Sequence, residues 1–294
     1  ADVMERALYN GVLSGVSLDG RRFFYANPLA SRGDHHRQEW YECACCPTNI
    51  VRLVASVGGY FYSQGEREVW VHLFAQGEGR LEVNGREVVL QQITSYPWDG
   101  TVKIKVGLSS PMTFTLHLRV PAWCEDWRLH VNAMPLPLTR DKGYLHLTRE
   151  WRPGDEVVLS MKMPVRYVYA HPNIRQMLGR VALQRGPMVY CLEGVDHGNI
   201  CLDRIALPAD GLSHWQAEYD NELLGGVTVL RGVGIVIEEH GWGDELYRFV
   251  APAIRPINVT AVPYCVWDNR SPGEMRVWLR TGSMRRVYET RIAP

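Results

Sequence analysis

The hydrophobic period of this chain changes near residue 62, and that change limits the fold more than any other feature. Before it, apolar residues recur at helical spacing, first at Val3, Met4, Ala7, Leu8 and Val12, then at Ile50, Val51, Leu53, Val54 and Val57. Between these runs, residues 16–18 and 22–25 flank an Asp19-Gly20 hairpin turn. From Glu68 onward the helical period is gone. Short runs follow at 69–74, at 81–83 turning through Asn84-Gly85 into 88–90, and at 101–106, where alternation is strict. Asn-Gly between such runs predicts a tight hairpin, because the turn needs positive φ at both central positions. Runs at 113–120, 129–131, 144–147 and 157–161 carry the series to Pro164. A strand with one apolar face must bury it against another layer, so this stretch predicts an antiparallel β-sandwich. A second series, at 181–183, 188–192, 227–230, 235–237, 247–250, 262–267 and 275–279, predicts another. The chain therefore reads as mainly β: a helical segment over 1–62, then sandwich domains over 63–165 and 166–294. No repeat of solenoid period and no low-complexity tract interrupts it.

Charge and composition narrow the partners. Lys plus Arg equals Asp plus Glu at 32 each, so no net field favours nucleic acid or an anionic membrane. No apolar run reaches the roughly 18 residues that span a bilayer. There is no signal peptide, yet Ala1 is not an initiator and a helical period is already under way, so a piece of a longer chain is expected. Seven cysteines without regular spacing favour a reducing compartment and a cytoplasmic location. Asn258-Val259-Thr260 matches a glycosylation acceptor, a three-residue pattern that arises by chance and has no meaning in the cytosol.

Three of those cysteines stand within four positions, in Cys43-Ala44-Cys45-Cys46-Pro47-Thr48-Asn49. Pro47 suits the first turn of a helix and Gly58-Gly59 supplies its stop, which puts Cys45 and Cys46 at or just before a helix N-terminus. Free N–H groups and the positive end of the helix dipole favour a thiolate there, so these residues are candidates for a nucleophile or for metal ligands. Zinc is the common ion that such thiolates select, but it usually takes four ligands and this segment offers at most three. A disulfide within the cluster is a poor alternative, since adjacent residues rarely reach its geometry. Cys124, Cys191, Cys201 and Cys265, scattered among strands, read as core residues. Glu39 and Glu42 read as solvated loop acids, and Arg52 as the partner of a nearby carboxylate. His35-His36 is not a metal pair, because adjacent side chains on an extended loop point apart.

The run Cys43-Ala44-Cys45-Cys46-Pro47-Thr48-Asn49-Ile50-Val51-Arg52 resembles the Cys-x-Cys-Cys-Pro-x-Asn-x-x-Arg signature of glycoside hydrolase family 127, the β-L-arabinofuranosidases. Glu5-Arg6-Ala7-Leu8-Tyr9-Asn10-Gly11, Phe23-Phe24-Tyr25-Ala26-Asn27-Pro28-Leu29, Arg37-Gln38-Glu39-Trp40, Tyr264-Cys265-Val266-Trp267-Asp268-Asn269-Arg270 and Met275-Arg276-Val277-Trp278 are similar to that family's sequence as well. The resemblance implies an (α/α)6 barrel followed by two antiparallel β-sandwich domains, with residues 1–62 as the end of the barrel. It implies Zn2+ held by Cys45 and Cys46 together with a Glu and a Cys that precede Ala1, Cys45 as the nucleophile, and Tyr25 near the sugar. Cys43 takes no role from it. The implied substrate is a small oligosaccharide or glycoconjugate carrying β-L-arabinofuranose, and a sandwich domain could serve a homodimer interface. Because the implied acid/base Glu also precedes Ala1, a non-catalytic fragment with a structural or carbohydrate-contacting role stands as the alternative. A thiol redox or zinc-storage role lacks a redox-fold context in this β-rich frame.

Overall fold

A computed structural model of the chain describes residues 1–198, 200–209 and 215–282. Contacts divide it into two units: Ala1–Leu8 with Thr48–Pro164, and Tyr9–Pro47 with Val165–Pro294. Residues 283–294, which the expected second sandwich includes, lie outside the described residues. Helix α1 (Asp2–Arg6) continues as a π turn over Ala7–Val12 and a 3-10 turn over Leu13–Gly15. The Asp19-Gly20 turn forms, with Gly20 at φ 72° and its N–H on the Ser17 carbonyl. The two-residue strand β1 (Ala30–Ser31) and helix α2 (Cys45–Ser56) follow. Among the described residues no helix is long and apolar enough to cross a membrane.

The first unit is built from strands β2 (Tyr62–Gln64), β3 (Glu68–Val71), β4 (Gly77–Val83), β5 (Arg86–Thr94), β6 (Thr101–Gly107), β7 (Met112–Arg119), β8 (Trp127–Val131), β9 (Met134–Pro135), β10 (Tyr144–Trp151) and β11 (Glu156–Met161). They form a four-stranded sheet, β10-β7-β3-β2, and a six-stranded sheet, β4-β5-β6-β11-β8-β9. Asn84 and Gly85 close the β4–β5 hairpin with φ of 51° and 71°, as its sequence predicts. Alternation sorts the side chains: Val102, Ile104 and Val106 of β6 are buried, as are Phe114, Leu116 and Leu118 of β7. The expectation of wholly antiparallel pairing fails at one place in this unit and at one in the second, where residues 206–208 run parallel to 280–282. Strand β3 lies parallel to β7, which it can do because β4 to β6 supply the long crossover a parallel pair requires. Helix α1 belongs here through a buried ion pair: Glu5 meets Arg119, both side chains 2% exposed, and also accepts from the Tyr96 hydroxyl at 2.6 Å and the Trp123 indole at 3.2 Å.

The second unit contains β12 (Val165–Tyr169), β13 (Arg180–Arg185), β14 (Met188–Glu193), β15 (Ile205–Pro208), β16 (Gln216–Asp220), β17 (Val227–Ile237), β18 (Ile254–Pro263), β19 (Met275–Arg276) and β20 (Leu279–Gly282). Here the expectation of a two-sheet sandwich is replaced. The sheet runs β14-β18-β17-β15-β20-β13 and β13 pairs back to β14, so these strands close into a ring. Closure buries Val181, Leu183, Tyr190, Ile205, Val236 and Leu279 on one face of a single sheet instead of between two. The runs at 227–230 and 235–237 are a single strand, β17. Gly232 marks close packing there and not a turn, since a Cβ on it would come within 2.7 Å of the Trp215 ring. Residues 247–250 form no strand; Tyr247 and Phe249 stand in solvent.

Residues 9–47 have little regular structure and are pinned to the ring by buried polar side chains. Asn10 donates to the Pro187 carbonyl at 2.9 Å and accepts from the Val189 N–H at 2.7 Å. Arg37 is buried and donates to the Ser14 carbonyl through Nε at 3.0 Å and through a terminal nitrogen at 2.7 Å, and to the Trp267 carbonyl. Asp268 takes His36 Nδ1 at 2.6 Å and the Arg37 backbone N–H at 2.9 Å. Burial lowers the Arg37 pKa to about 10, with Asp268 opposing the shift.

Candidate active site

Helix α2 begins on the thiols themselves: Cys45 and Cys46 are its first two residues, and Pro47 fills its first turn, where its missing N–H costs nothing. Cys43, two residues earlier, is exposed like Cys45, and Cys46 is partly covered. The Cys45 and Cys46 sulfurs lie 3.7 Å apart. Tyr25 is the third member, its hydroxyl 3.5 Å from the Cys45 sulfur.

The segment carrying Tyr25 is held in place residue by residue. Phe23 pairs with Gln38 through two backbone bonds of 2.8 and 2.9 Å, and the Phe24 N–H donates to the Gly15 carbonyl at 3.0 Å. Phe24 stacks on Trp267 with ring centres 4.8 Å apart, and the Arg37 guanidinium covers it at 4.2 Å. Tyr41 finishes the brace. Its hydroxyl donates to the Phe23 carbonyl at 2.9 Å and accepts from the Tyr25 N–H at 3.2 Å. Sequence reasoning missed Tyr41; its only signal was a place two residues before the cysteine cluster. The buried Trp267-Asp268 pair beneath the brace belongs to a run that carried the family resemblance, without a role of its own.

These contacts separate the two thiols. The Tyr25 hydrogen bond, followed by those from Cys43 and Cys46, lowers the Cys45 pKa. The Cys46 pKa is raised, first by its hydrogen bond to Cys45. Tyr25 is raised in turn, mainly because it serves a neighbour that carries negative charge. Cys45 therefore ionises first, at a helix start whose dipole favours the anion. Cys43, given no role from sequence, contributes to that lowering.

Other sequence expectations resolve differently. Glu39 and Glu42 are exposed, and His35 and His36 diverge as expected: Nε2 of His35 donates to the Ala26 carbonyl, while His36 meets Asp268. Among the described residues Arg52 meets the Asn49 side chain and not a carboxylate, because no acid stands one turn away on α2. Cys201 is exposed, not core, since it precedes a surface 3-10 turn at Leu202–Arg204. Cys124, Cys191 and Cys265 are buried. Among the described residues no group of three or more His, Cys, Asp or Glu is arranged to hold a metal ion. Two thiolates on a tetrahedral zinc with bonds of about 2.3 Å stand roughly 3.8 Å apart. The 3.7 Å separation of Cys45 and Cys46 fits that pair of positions.

Comparison with known proteins agrees in all three parts of the chain. Residues 1–59 match the model of the β-L-arabinofuranosidase GH127 catalytic domain, 68–163 that of the GH127 middle domain, and 165–280 that of the glycoside hydrolase family 127 C-terminal domain. A non-reducing end β-L-arabinofuranosidase of Bifidobacterium longum subsp. longum is 34% identical over 95% of this chain and 45% of its own length. The crystal structure of a GH127 β-L-arabinofuranosidase from Geobacillus stearothermophilus T6 superposes with a TM-score of 0.91 at 43% identity, over 96% of this chain and 46% of that one. A second GH127 β-arabinofuranosidase structure gives 0.88 at 33% identity, covering 96% and 45%. The chain thus spans about half the length of these relatives.

Proposed function

The chain belongs to glycoside hydrolase family 127, and from that premise we propose that it is the C-terminal portion of a retaining glycosidase that removes terminal β-L-arabinofuranosyl residues, with Cys45 as nucleophile. The observation that carries this reading is the Tyr25–Cys45–Cys46 constellation at the start of α2. Residues 1–62 are read as the end of an (α/α)6 barrel, ahead of β domains over 63–165 and 166–294. The exposed Val51 and Val54 on α2 support this, being an apolar helix face of the kind that a helical barrel covers.

In this reading Cys45 attacks the anomeric carbon as thiolate. A carbon–sulfur bond forms while the bond to the leaving oxygen breaks, and an acid supplied by the longer polypeptide protonates that oxygen. Water then displaces the sulfur from the opposite face, and two inversions give net retention. Tyr25 holds the sulfur in position through its hydroxyl, and Tyr41 holds Tyr25. Cys45 and Cys46 would be this chain's share of a Zn2+ site, where the ion keeps the thiols deprotonated near neutral pH. The seven free thiols support a cytoplasmic location.

The test uses p-nitrophenyl β-L-arabinofuranoside and the longer polypeptide that contains these residues. Cys45→Ala is expected to lose at least ~1000-fold in kcat, the scale seen when a nucleophile is removed; ordinary turnover by that variant rules the thiol out. A second reading has Cys45 and Cys46 as two ligands of an incomplete set, which makes this polypeptide alone a non-catalytic module. Residues 1–294 on their own are then inactive, and hydrolysis by them with stoichiometric zinc bound sinks that alternative.

A further inference from the structure

Two adjacent histidines turn in opposite directions beside the segment that carries Tyr25. His36 fastens its loop to the ring of strands, with Nδ1 on Asp268 at 2.6 Å and Nε2 on the Gly33 carbonyl at 2.9 Å. His35 faces the other way. Its ring stacks on Phe24 with centres 5.0 Å apart, and Trp267 lies 6.3 Å from His35 and 4.8 Å from Phe24, all three planes within 22° of parallel. Its Nε2 bonds to the Ala26 carbonyl at 2.9 Å. One side chain therefore grips the residues on both sides of Tyr25.

The acceptor settles which atom donates. A carbonyl oxygen only accepts, so Nε2 carries the proton, and it does so whether the imidazole is neutral or charged. An imidazole whose plane is set by neighbouring rings gives up little further freedom to make that bond. Tyr25 needs such a grip. Its side chain is in solvent, the residue being 50% exposed, and its hydroxyl reaches the Cys45 sulfur across 3.5 Å. A misplacement of about 1 Å in a reacting constellation costs up to about 100-fold in rate. Tyr41 holds the Tyr25 N–H at 3.2 Å, which fixes the chain where it enters. Where the chain leaves, Asn27 is tied to the Gly11 carbonyl and Pro28 to the Tyr264 hydroxyl, both at 2.8 Å, and His35 closes the gap between these ties and Tyr25.

We propose that His35 is a positioning residue for the cysteine nucleophile, acting through Phe24 and Ala26 on Tyr25 and through Tyr25 on Cys45. This rests on the reading of Cys45 as nucleophile. Through Trp267 the C-terminal sequence then takes part in setting the rate, although it touches no reacting atom.

A double-mutant cycle in the longer polypeptide tests it, with p-nitrophenyl β-L-arabinofuranoside as substrate. His35→Phe keeps a ring and removes the donor, and is expected to lower kcat by about tenfold with KM within about twofold and Tm unchanged. His35→Gln, whose amide offers an N–H at similar reach, is expected to restore most of kcat. Adding His35→Phe to Tyr25→Phe is expected to cost less than about twofold more, because the first acts through the second. In the 294-residue chain the NOE between the Tyr25 ring and the Cys45 β protons is expected to weaken in His35→Phe and to return in His35→Gln. Wild-type kcat in His35→Phe, additive losses, no rescue by Gln, or an unchanged NOE each overturn the role. If His35→Phe lowers Tm, His35→Asn, whose shorter amide falls short of Ala26, is read in its place, and loss of the fold in both overturns the role as well. Cys45→Ala keeps the two readings apart: ordinary turnover by it sinks the nucleophile, and the NOE, which needs no substrate, then decides alone whether His35 holds Tyr25.

Discussion

One hydroxyl decides which of two adjacent thiols is the anion. Removing it in Tyr25→Phe takes away the leading cause of the lowered Cys45 pKa, so alkylation of Cys45 by iodoacetamide should become several-fold slower near neutral pH, with its pH profile moved upward. Peptide mass spectrometry reads this, and Cys191 and Cys265 are internal controls. Both are buried, and burial pushes the Cys265 thiol up to about 12. A second residue-scale prediction concerns His36, whose pKa is raised from 6.5, first by its hydrogen bond to Asp268. The folded state then holds that proton more tightly than the unfolded one. Its contribution is complete below pH 6.5 and is lost as pH rises through the raised value. In Asp268→Asn the His36 titration, followed by NMR, should move back toward 6.5. The thiols were legible in the sequence because their signal is contiguous. Tyr25 was reached only through resemblance, and Tyr41 not at all, since a brace across 16 residues leaves no local pattern.

Among elements, α1 owes its place to Glu5 more than to its short apolar stripe. Glu5→Ala would leave Arg119 buried without its closest carboxylate, a loss of about 3–5 kcal/mol for a broken buried pair. Hydrogen exchange in β7 and β10 under urea should report it, and a change below about 1 kcal/mol would show the pair to be dispensable. Strand legibility followed the same physics of burial. Strands with one wet face, such as β6 and β11, were plain from alternation. Strand β15 is buried at all four positions and β16 is almost wholly exposed, so neither alternates and both were missed. Residues 247–250 erred the other way, with strand-forming residue types but no neighbour to pair with.

At the scale of the whole molecule, the units do not follow the linear order of the chain. Residues 1–8 join the first unit and 9–47 the second, before 48–164 return to the first. A polypeptide of residues 63–165 alone lacks Glu5 and Asp2, both partners of Arg119. It should show faster amide exchange in β7 than the same strand within residues 1–294, and equal protection would mean that the N-terminal contacts add nothing. Ring closure was beyond reach of local pattern, because it depends on β13 meeting both β14 and β20, the latter about a hundred residues away in sequence.

The pinning of residues 9–47 also sets an order of events during synthesis. His36 waits for Asp268, 232 residues later, and Asn10 waits for Pro187, 177 residues later. The ring that presents Asp268 cannot close until β20 has emerged. The segment bearing Tyr25 and the thiols is therefore made long before anything exists to hold it, and it is among the last parts of the second unit to be fixed. A nascent chain arrested before residue 268 displays three thiols on an unanchored tether, so the interval between translating Cys43 and translating Asp268 is when they are most open to oxidation.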